Sequence, residues 1–526
     1  MSEKESQNEL IETDTDINES ESENENENKK IPKRSWQKLL LLSICLAGVI
    51  FAYAQQIGQM TAFFRELGLS QTVVSIIWVA GPISGFLVQP LVGIWSDRST
   101  SRWGRRRPFL LGGAIFVVLS EILVSNSRDL GSKMGDTPSH NPAAITLAVI
   151  GFWIMDLANN TLQGPSRALL ADWAPDYQQK LGSAFFSLWV GVGNVGGYFS
   201  GSVDWSSYFS TFETSNCKNA CANLRFSFMI GGIIILTTNL ITLFAIKEER
   251  FIKSKNKNKK APNPFTMLFK GITKQPKWFK LVNLVNFLSW IGWYCFFMYG
   301  TDWFGSRIYN GKPKNPCPDY PKHSDCLKYE KGVARGSLAL TFESGLCLIL
   351  SPFVPRIIDK IGIKITYFIG QVVFGIVLCL TVFVRNEAVA MIMFAFVGIP
   401  LATTMIIPYT IIGKLAPKKD NGLFMGIRNL FVVIPQLIVS LTMGALVSHP
   451  FKGNSSWAMF VGGIFEFVGA GCVFLLIVDK SELSVEEKKK LLENENENEN
   501  GNENEIENEI GIGIGIGIEN ENENEN

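Results

Sequence analysis

Apolar positions along this chain gather into stretches of about 20 residues, and charged residues collect in the tails and in short segments between them. That length matches a hydrocarbon core of roughly 30 Å at 1.5 Å per helical residue. The pattern predicts an all-α membrane protein whose twelve transmembrane helices lie near 38–62, 72–95, 109–126, 143–172, 182–203, 225–246, 279–303, 333–353, 364–384, 388–412, 424–448 and 456–478. A basic stretch, 247–280, divides them six and six. The two sets echo each other: ALLADWAP leading into KLGSAFF after span four resembles IIGKLAP leading into DNGLFMG after span ten, and SDRSTSRWG after span two has a degenerate partner in IDKIG at 358–362. Two pseudo-symmetric six-helix bundles around a central cavity is an architecture of secondary transporters. The expected division is a tail at 1–35, an N-terminal bundle at 36–246, a linker at 247–278, a C-terminal bundle at 279–478 and a second tail at 479–526.

Span four interrupts its apolar run with MDLANNTLQGPSR at 155–167. At 100° per residue, with Asp156 as zero, Asn160 falls at about 40°, Gln163 at about −20°, Arg167 at about 20° and Asn159 at about −60°. Met155, Ala158 and Leu162 point elsewhere. Such a polar stripe must face a watery cavity or other helices, because lipid penalises each group. Asp156 and Arg167 stand about 16 Å apart along the helix, so they do not neutralise each other. Low dielectric favours a neutral carboxylic acid, which makes Asp156 the candidate proton carrier. Arg keeps its proton, so Arg167 is a fixed cation for a substrate hydroxyl or carboxylate.

Other spans supply further polar groups. Tyr53, Gln55, Gln56 and Gln59 lie in span one, Gln89 in span two, Asp302 at the end of span seven, and Glu121, Glu343 and Glu466 in spans three, eight and twelve. The three histidines, His140, His323 and His449, fall in outer loops, so carboxylates must carry any proton. Asp156, Asp302 and Glu343 are therefore the proton-coupling candidates. Asp156, Asn160, Gln163, Arg167, Gln55, Gln56, Gln59 and Tyr53 are the substrate-binding candidates, because amides, a carboxylate and a guanidinium together suit a polyhydroxylated ligand. Trp78, Trp153, Trp290, Trp293 and Tyr294 are available as platforms for a sugar ring. In the loop after span two, Asp97, Arg98, Gly104, Arg105, Arg106 and Arg107 read as a gating latch, with Gly104 permitting a tight turn and Asp97 pairing with an Arg across the helix ends.

The chain has 526 residues and a formal net charge of +1. Its first 35 residues are acidic and Asn-rich, the wrong chemistry for a cleavable signal. The tails, with their repeated Glu-Asn and Gly-Ile pairs, are too poor in apolar surface to fold. Basic loops after spans two, six, eight and ten put both termini in the cytoplasm. Cys217, Cys221, Cys317 and Cys326 then occupy outer loops and are disulfide candidates. No metal site is expected. Asn454 in NSS is the glycosylation candidate, and EKKKLL at 487–492 resembles a sorting signal.

The segments GPISGFLVQPLVGIWSDRSTSRWGRRRPF (81–109), GFWIMDLANNTLQGPSRALLAD (151–172) and MYGTDWFGSRIYNG (298–311), with PLATTMIIPYTI and VVIPQLIVSL in spans ten and eleven, closely resemble the plant sucrose–proton symporters and their animal relatives. Those are glycoside–pentoside–hexuronide:cation symporters of the major facilitator superfamily. The resemblance covers about 38–478. It implies proton-coupled uptake of a glucoside by alternating access, with the family's essential Asp and Arg at Asp156 and Arg167 and its TDW acidic residue at Asp302. Two positions depart: an outer-loop His of the plant proteins is Gln71 here, and the G-R-E after TDW reads Gly305, Ser306, Arg307. Both bear on which sugar is carried.

The expectation is a proton-coupled symporter, not an enzyme, for sucrose or a related glucoside, with protons, sugar and the lipid bilayer as partners, no nucleic acid and no cofactor beyond the coupling proton. It is placed in the plasma membrane, with an endolysosomal or vacuolar membrane as the alternative. The rival functions are an organellar exporter of sugar and protons and a non-transporting sugar sensor.

Overall fold

The computed structural model describes residues 33–137, 140–218, 220–248, 272–273, 275–313, 325–416 and 421–483. Most of both tails and of the 247–278 linker, along with Cys317, His323 and EKKKLL, lie outside the described residues.

Twelve long helices carry the described chain. They are α1 (Trp36–Glu66), α2 (Gln71–Asp97), α3 (Arg107–Ser125), α4 (Pro142–Trp173), α5 (Asp176–Ser202), α6 (Ala220–Ala245), α7 (Lys277–Ile308), α8 (Asp325–Ile361), α9 (Ile363–Leu380), α10 (Glu387–Leu415), α11 (Asn421–Ser448) and α12 (Ser456–Val473). Eleven of them are apolar enough along their length to cross a membrane by hydropathy alone. The exception is α5, and its packing explains why. Glycines occupy the face it lays on α1: a Cβ at Gly193 would stand 2.6 Å from the Ala47 carbonyl oxygen. Close backbone approach through small residues is how membrane helices associate, and it lowers hydropathy without lowering burial.

Helix pairings in the first half recur in the second. α1 packs on α5 and α6, α3 on α4 and α6, and α2 on α4. Correspondingly, α7 packs on α11 and α12, α9 on α10 and α12, and α8 on α10. The halves meet through α5 against α8 and α2 against α11, which exchange places under the same correspondence. Pro165 in α4 and Pro408 in α10 sit at matching depths, where each removes a helical hydrogen bond. Gly104 and Gly362, in the matched loops after α2 and α8, both have positive φ, +108° and +84°. The echo between SDRSTSRWG and IDKIG is thus an echo of backbone geometry.

Two faces are distinguishable. One carries the basic loops after α2 and α8. The other carries the Cys217–Cys221 disulfide. Cys326, on the same face at the start of α8, is also disulfide-bonded. Hydrogen bonds that tie the halves together lie on the disulfide face and at mid-depth. Gln71 Nε2 donates to Asp302 Oδ2 at 3.0 Å, Thr72 Oγ1 donates to the Gly444 carbonyl at 3.2 Å, and Tyr294 OH donates to the Trp78 carbonyl at 2.9 Å. α11 packs mainly on the Gln71–Ile77 end of α2, while Trp95 near its other end is 59% exposed. Among the described residues the halves are hydrogen-bonded to each other on the disulfide face and at mid-depth, and not on the basic face.

Candidate functional site

The polar stripe of α4 turns inward as its periodicity predicts. Asp156, Asn159 and Asn160 are buried, at 1%, 0% and 6% exposure. Gln163 is half-buried, and Arg167, nearer the basic face, is exposed. Burial therefore falls along the stripe toward that face. Among the described residues Arg167 has no ion pair, in keeping with its distance from Asp156.

Asp156 sits where α4 faces α1, α2 and α7. Gly81 of α2 opens the space beside it, since a Cβ there would lie 3.6 Å from Asp156 Oδ2 and 3.9 Å from Tyr294 OH. The Gln56 amide and the Tyr53 and Tyr294 rings approach from α1 and α7. None of them reaches hydrogen-bond geometry, and both carboxyl oxygens lack a partner among the described residues. One turn along, Asn160 is fully engaged. Its Nδ2 donates to Ser84 Oγ at 2.7 Å and to the Asp156 carbonyl at 3.0 Å, while its Oδ1 accepts from Gln89 Nε2 at 2.7 Å. Asn160 thus braces α4 against α2, and Asp156 is the group left open to a proton or a hydroxyl.

Glu343, on α8, is equally buried at 1% exposure. Its Oε2 accepts from Ser344 Oγ at 2.8 Å and its Oε1 is unpartnered. Tyr198 of α5 lies beside both Glu343 and Tyr53, and Tyr53 lies beside Asp156. Two phenols therefore stand between the two carboxyls, across the seam of the halves. Asp302 is elsewhere. It lies eight residues past Tyr294, about 12 Å along α7, on the closed face. It accepts from Gln71 and, through Oδ1, from Tyr329 OH at 2.8 Å. Its present work is to hold that face shut.

The structure corrects the grouping of the α1 glutamines. Gln56 and Tyr53 turn toward Asp156, but Gln55 and Gln59 do not. Gln55 Nε2 bonds to Ser200 and Ser227, and Gln59 Nε2 to Ser227 Oγ at 2.9 Å, inside the first half. Gln55 lies on the side of α1 that packs on α5 and α6, where Ser200 and Ser227 take its amide. Trp293 is corrected as well. It is fully buried against Phe374, with ring centroids 4.1 Å apart, and serves as core rather than platform.

The Asp97–Arg ion pair expected after α2 forms, with more acidic partners than the motif revealed. Arg106 pairs with Asp97 and with Asp172 at 2.9 Å, and Arg105 pairs with the same Asp172. Glu248, just after α6, accepts from the Arg106 backbone N–H at 2.9 Å and lies against Gly104, where a side chain would collide with it. Arg107 donates to the Leu243 carbonyl. Arg98 stays exposed, outside this cluster. This cluster ties α2, α3, α4 and α6 together within one half. Asp172 was visible in ALLADWAP as the acid closing span four. Arg428 of α11 was missed outright: it is 3% exposed, stacks over Tyr409 at 4.1 Å and reaches Asn286 Oδ1 at 3.3 Å. A lone cation in an apolar run was the available signal. At the other surface, Asn454 is half-buried and its side-chain oxygen accepts from the Ser456 backbone N–H at 3.1 Å.

Residues 42–301 match the family described as MFS/sugar transport protein, and residues 329–503 match the Major Facilitator Superfamily. The chain is 31% identical over 478 residues to sucrose transport protein SUT5 of Oryza sativa subsp. indica, covering 84% of this chain and 88% of that one. It is 33% identical over 479 residues to sucrose transport protein SUC4 of Arabidopsis thaliana, covering 86% and 92%. The chain belongs to the sucrose transport protein family. Solved structures agree on the fold of this family member. A D-xylose-proton symporter superposes with a TM-score of 0.57 at 16% identity, over 84% of this chain and 98% of that one. The nucleoside transporter NupG does so at 0.59 and 12%, over 84% and 99%. This family member is an integral multi-pass transporter of the major facilitator fold, not an enzyme.

Proposed function

We propose that this protein is a proton-coupled symporter for sucrose or a related glucoside, with Asp156 as the site where proton and sugar meet. The observation that carries the reading is the Asp156 carboxyl: buried, unpartnered among the described residues, and set beside Gly81 at the meeting of α1, α2, α4 and α7. Its neighbours are neutral, an amide and two phenols, which suits a neutral hydroxylated ligand. The family relatives named as sucrose transport proteins support the substrate class.

The basic loops support a cytoplasmic placement for the face on which the halves are not bonded, and on this reading the molecule is inward-facing. A proton taken from outside neutralises Asp156. Sugar hydroxyls then bond to the Asp156 carboxyl, Gln56 and the flanking phenols, and the outer face closes through Gln71, Thr72 and Asp302. Arg167, exposed on the inward path, receives the sugar as it leaves. Coupling follows if only the doubly loaded and the empty carrier change face. The bilayer we favour is the plasma membrane.

Radiolabelled sucrose uptake at about pH 5 and pH 7.5, for wild type and Asp156→Asn, tests this. Uptake that rises in acid and is lost in the variant is expected. Acid-stimulated uptake that survives in Asp156→Asn moves the proton site to Glu343. Absence of uptake at either pH, with protein present in the membrane, removes sucrose as the substrate.

A further inference from the structure

Glu121 lies in α3, away from the Asp156 site. It is 1% exposed, and neither carboxyl oxygen has a hydrogen-bond partner among the described residues. It faces α6 where two successive residues have no side chain. A Cβ on Gly231 would stand 3.1 Å from Glu121 Oε1, and one on Gly232 would stand 3.3 Å from Oε2. The same point above Gly231 is approached still more closely by Gln55 Oε1 of α1. Three helices thus bring a carboxyl group and an amide oxygen together over one glycine.

Gln55 Oε1 also has no donor among the described residues. The other end of that amide is committed. Its Nε2 has three oxygens in reach of its two N–H groups, the Ser227 carbonyl at 2.6 Å, Ser227 Oγ at 2.8 Å and Ser200 Oγ at 2.9 Å. Turning the amide over would set its oxygen against the Ser227 carbonyl, an acceptor with nothing to give. The orientation is therefore fixed by its neighbours. A carboxylate at Glu121 would then face another lone pair inside the membrane, unpaired and unsolvated. A carboxylic acid supplies the donor that Gln55 Oε1 lacks.

We infer that Glu121 is a neutral acid that donates a hydrogen bond to Gln55 Oε1 and so acts as a positioning residue for α1, holding a resident proton rather than the transported one. Gln55 adjoins Gln56 and follows Tyr53 by two residues, so fixing Gln55 fixes the helix face presented to Asp156. That consequence for transport rests on the reading of Asp156 given above. The protonation of Glu121 does not.

The test uses Glu121→Gln, Glu121→Leu, Gln55→Leu and the double leucine variant in the full chain. Glu121→Gln keeps the wild-type KM within about twofold and leaves the pH profile of uptake in place, because an amide N–H replaces the acid O–H. Glu121→Leu raises KM by about tenfold, the effect of one buried acceptor left unpaired. Gln55→Leu does the same, and the double variant is no worse than either. Infrared spectra of the purified protein in lipid nanodiscs carry a protonated-carboxyl C=O band, lost in Glu121→Gln and constant from about pH 5 to pH 9. A band that titrates in that range, or a Glu121→Gln variant whose uptake loses its acid stimulation, makes Glu121 an exchanging site and overturns the inference. Additive losses for the two leucine variants overturn the Glu121–Gln55 link. If the wild type carries no sugar, the transport reading fails, and the infrared band still decides whether Glu121 holds its proton.

Discussion

Gln71→Leu should release the closed face. In the structure Gln71 Nε2 donates to Asp302 Oδ2 at 3.0 Å, with Gln71 4% and Asp302 1% exposed. The bond joins α2 in one half to α7 in the other, so it exists only while that face is shut. Leaving one partner of a buried hydrogen bond unmatched costs about 1–3 kcal/mol, and leucine matches glutamine closely in size, so the loss is one of polarity. The remaining bond from Tyr329 to Asp302 Oδ1 is unaffected, which argues for the lower end of the range. At about 1.5 kcal/mol the equilibrium between closed and open forms moves roughly tenfold toward open. Hydrogen exchange of the sugar-free protein in nanodiscs reads this directly. Amides at 67–79 and 444–453 should exchange about tenfold faster in the variant, while those at 98–107 on the other face should not. Thr72→Val removes only part-buried bonds, to Gly444 and Ser448, and should accelerate the same amides about threefold. Equal exchange in Gln71→Leu and wild type, or a larger effect from Thr72→Val, would refute the assignment of the Gln71–Asp302 bond as the principal tie on that face.

Gly104→Ala should lower the melting temperature in detergent. Its φ of +108° disfavours any side chain by about 1–2 kcal/mol, and the new methyl group would strike Glu248. Asp172→Asn takes a shared carboxylate from Arg105 and Arg106; because the acid is 21% exposed, a loss of about 1–2 kcal/mol is expected, again read as a lower melting temperature. On the disulfide face, burial works against ionising Asp204, but hydrogen bonds from Ser207, Ser206 and Asn223 outweigh it and hold the carboxyl below its ordinary value. A depressed acid stabilises above its unfolded pKa and loses that contribution as pH falls through the folded value. Fluorescence of the adjoining Trp205 should therefore stay constant from about pH 7.5 to pH 5 and change only below about pH 4. A change near pH 6 would contradict the ordering of that loop by Asp204.

What could be read from the chain was whatever a single helix must satisfy by itself. The apolar runs set the helices, and the stripe in α4 gave the inward face because lipid forbids the alternative. The matched loops were legible because a tight turn needs glycine in both halves. Contacts between helices were harder. Gln55, Gln56 and Gln59 were grouped by chemistry, and nothing in their spacing shows that Ser200 of α5 and Ser227 of α6 would claim two of them. Arg428 escaped because its partners, Tyr409 and Asn286, come from two other helices. Glu248 gave no sign that it would cap the start of α3, since that depends on where α6 ends. The choice of closed face left no trace at all, because the same hydrophobic pattern is satisfied with either face shut.

The two buried carboxyls at the centre are inequivalent, and the geometry gives a reason for the chain to keep both. Asp156 has no partner and stands beside the space opened by Gly81, so its charge state is the one a ligand can feel. Glu343 has Ser344 on one oxygen and is approached from the first half through Tyr198. A proton arriving at Asp156 has Tyr53 and Tyr198 between it and Glu343, and that chain of groups crosses α5 and α8, one of the two seams on which the halves turn. If the phenols relay protons, Tyr198→Phe should cut proton-driven sucrose accumulation about tenfold while leaving sucrose exchange across the membrane within about twofold of wild type, because exchange needs no net proton movement. Equal loss of both activities would assign Tyr198 to packing of the α5–α8 seam and leave Asp156 as a self-sufficient proton site.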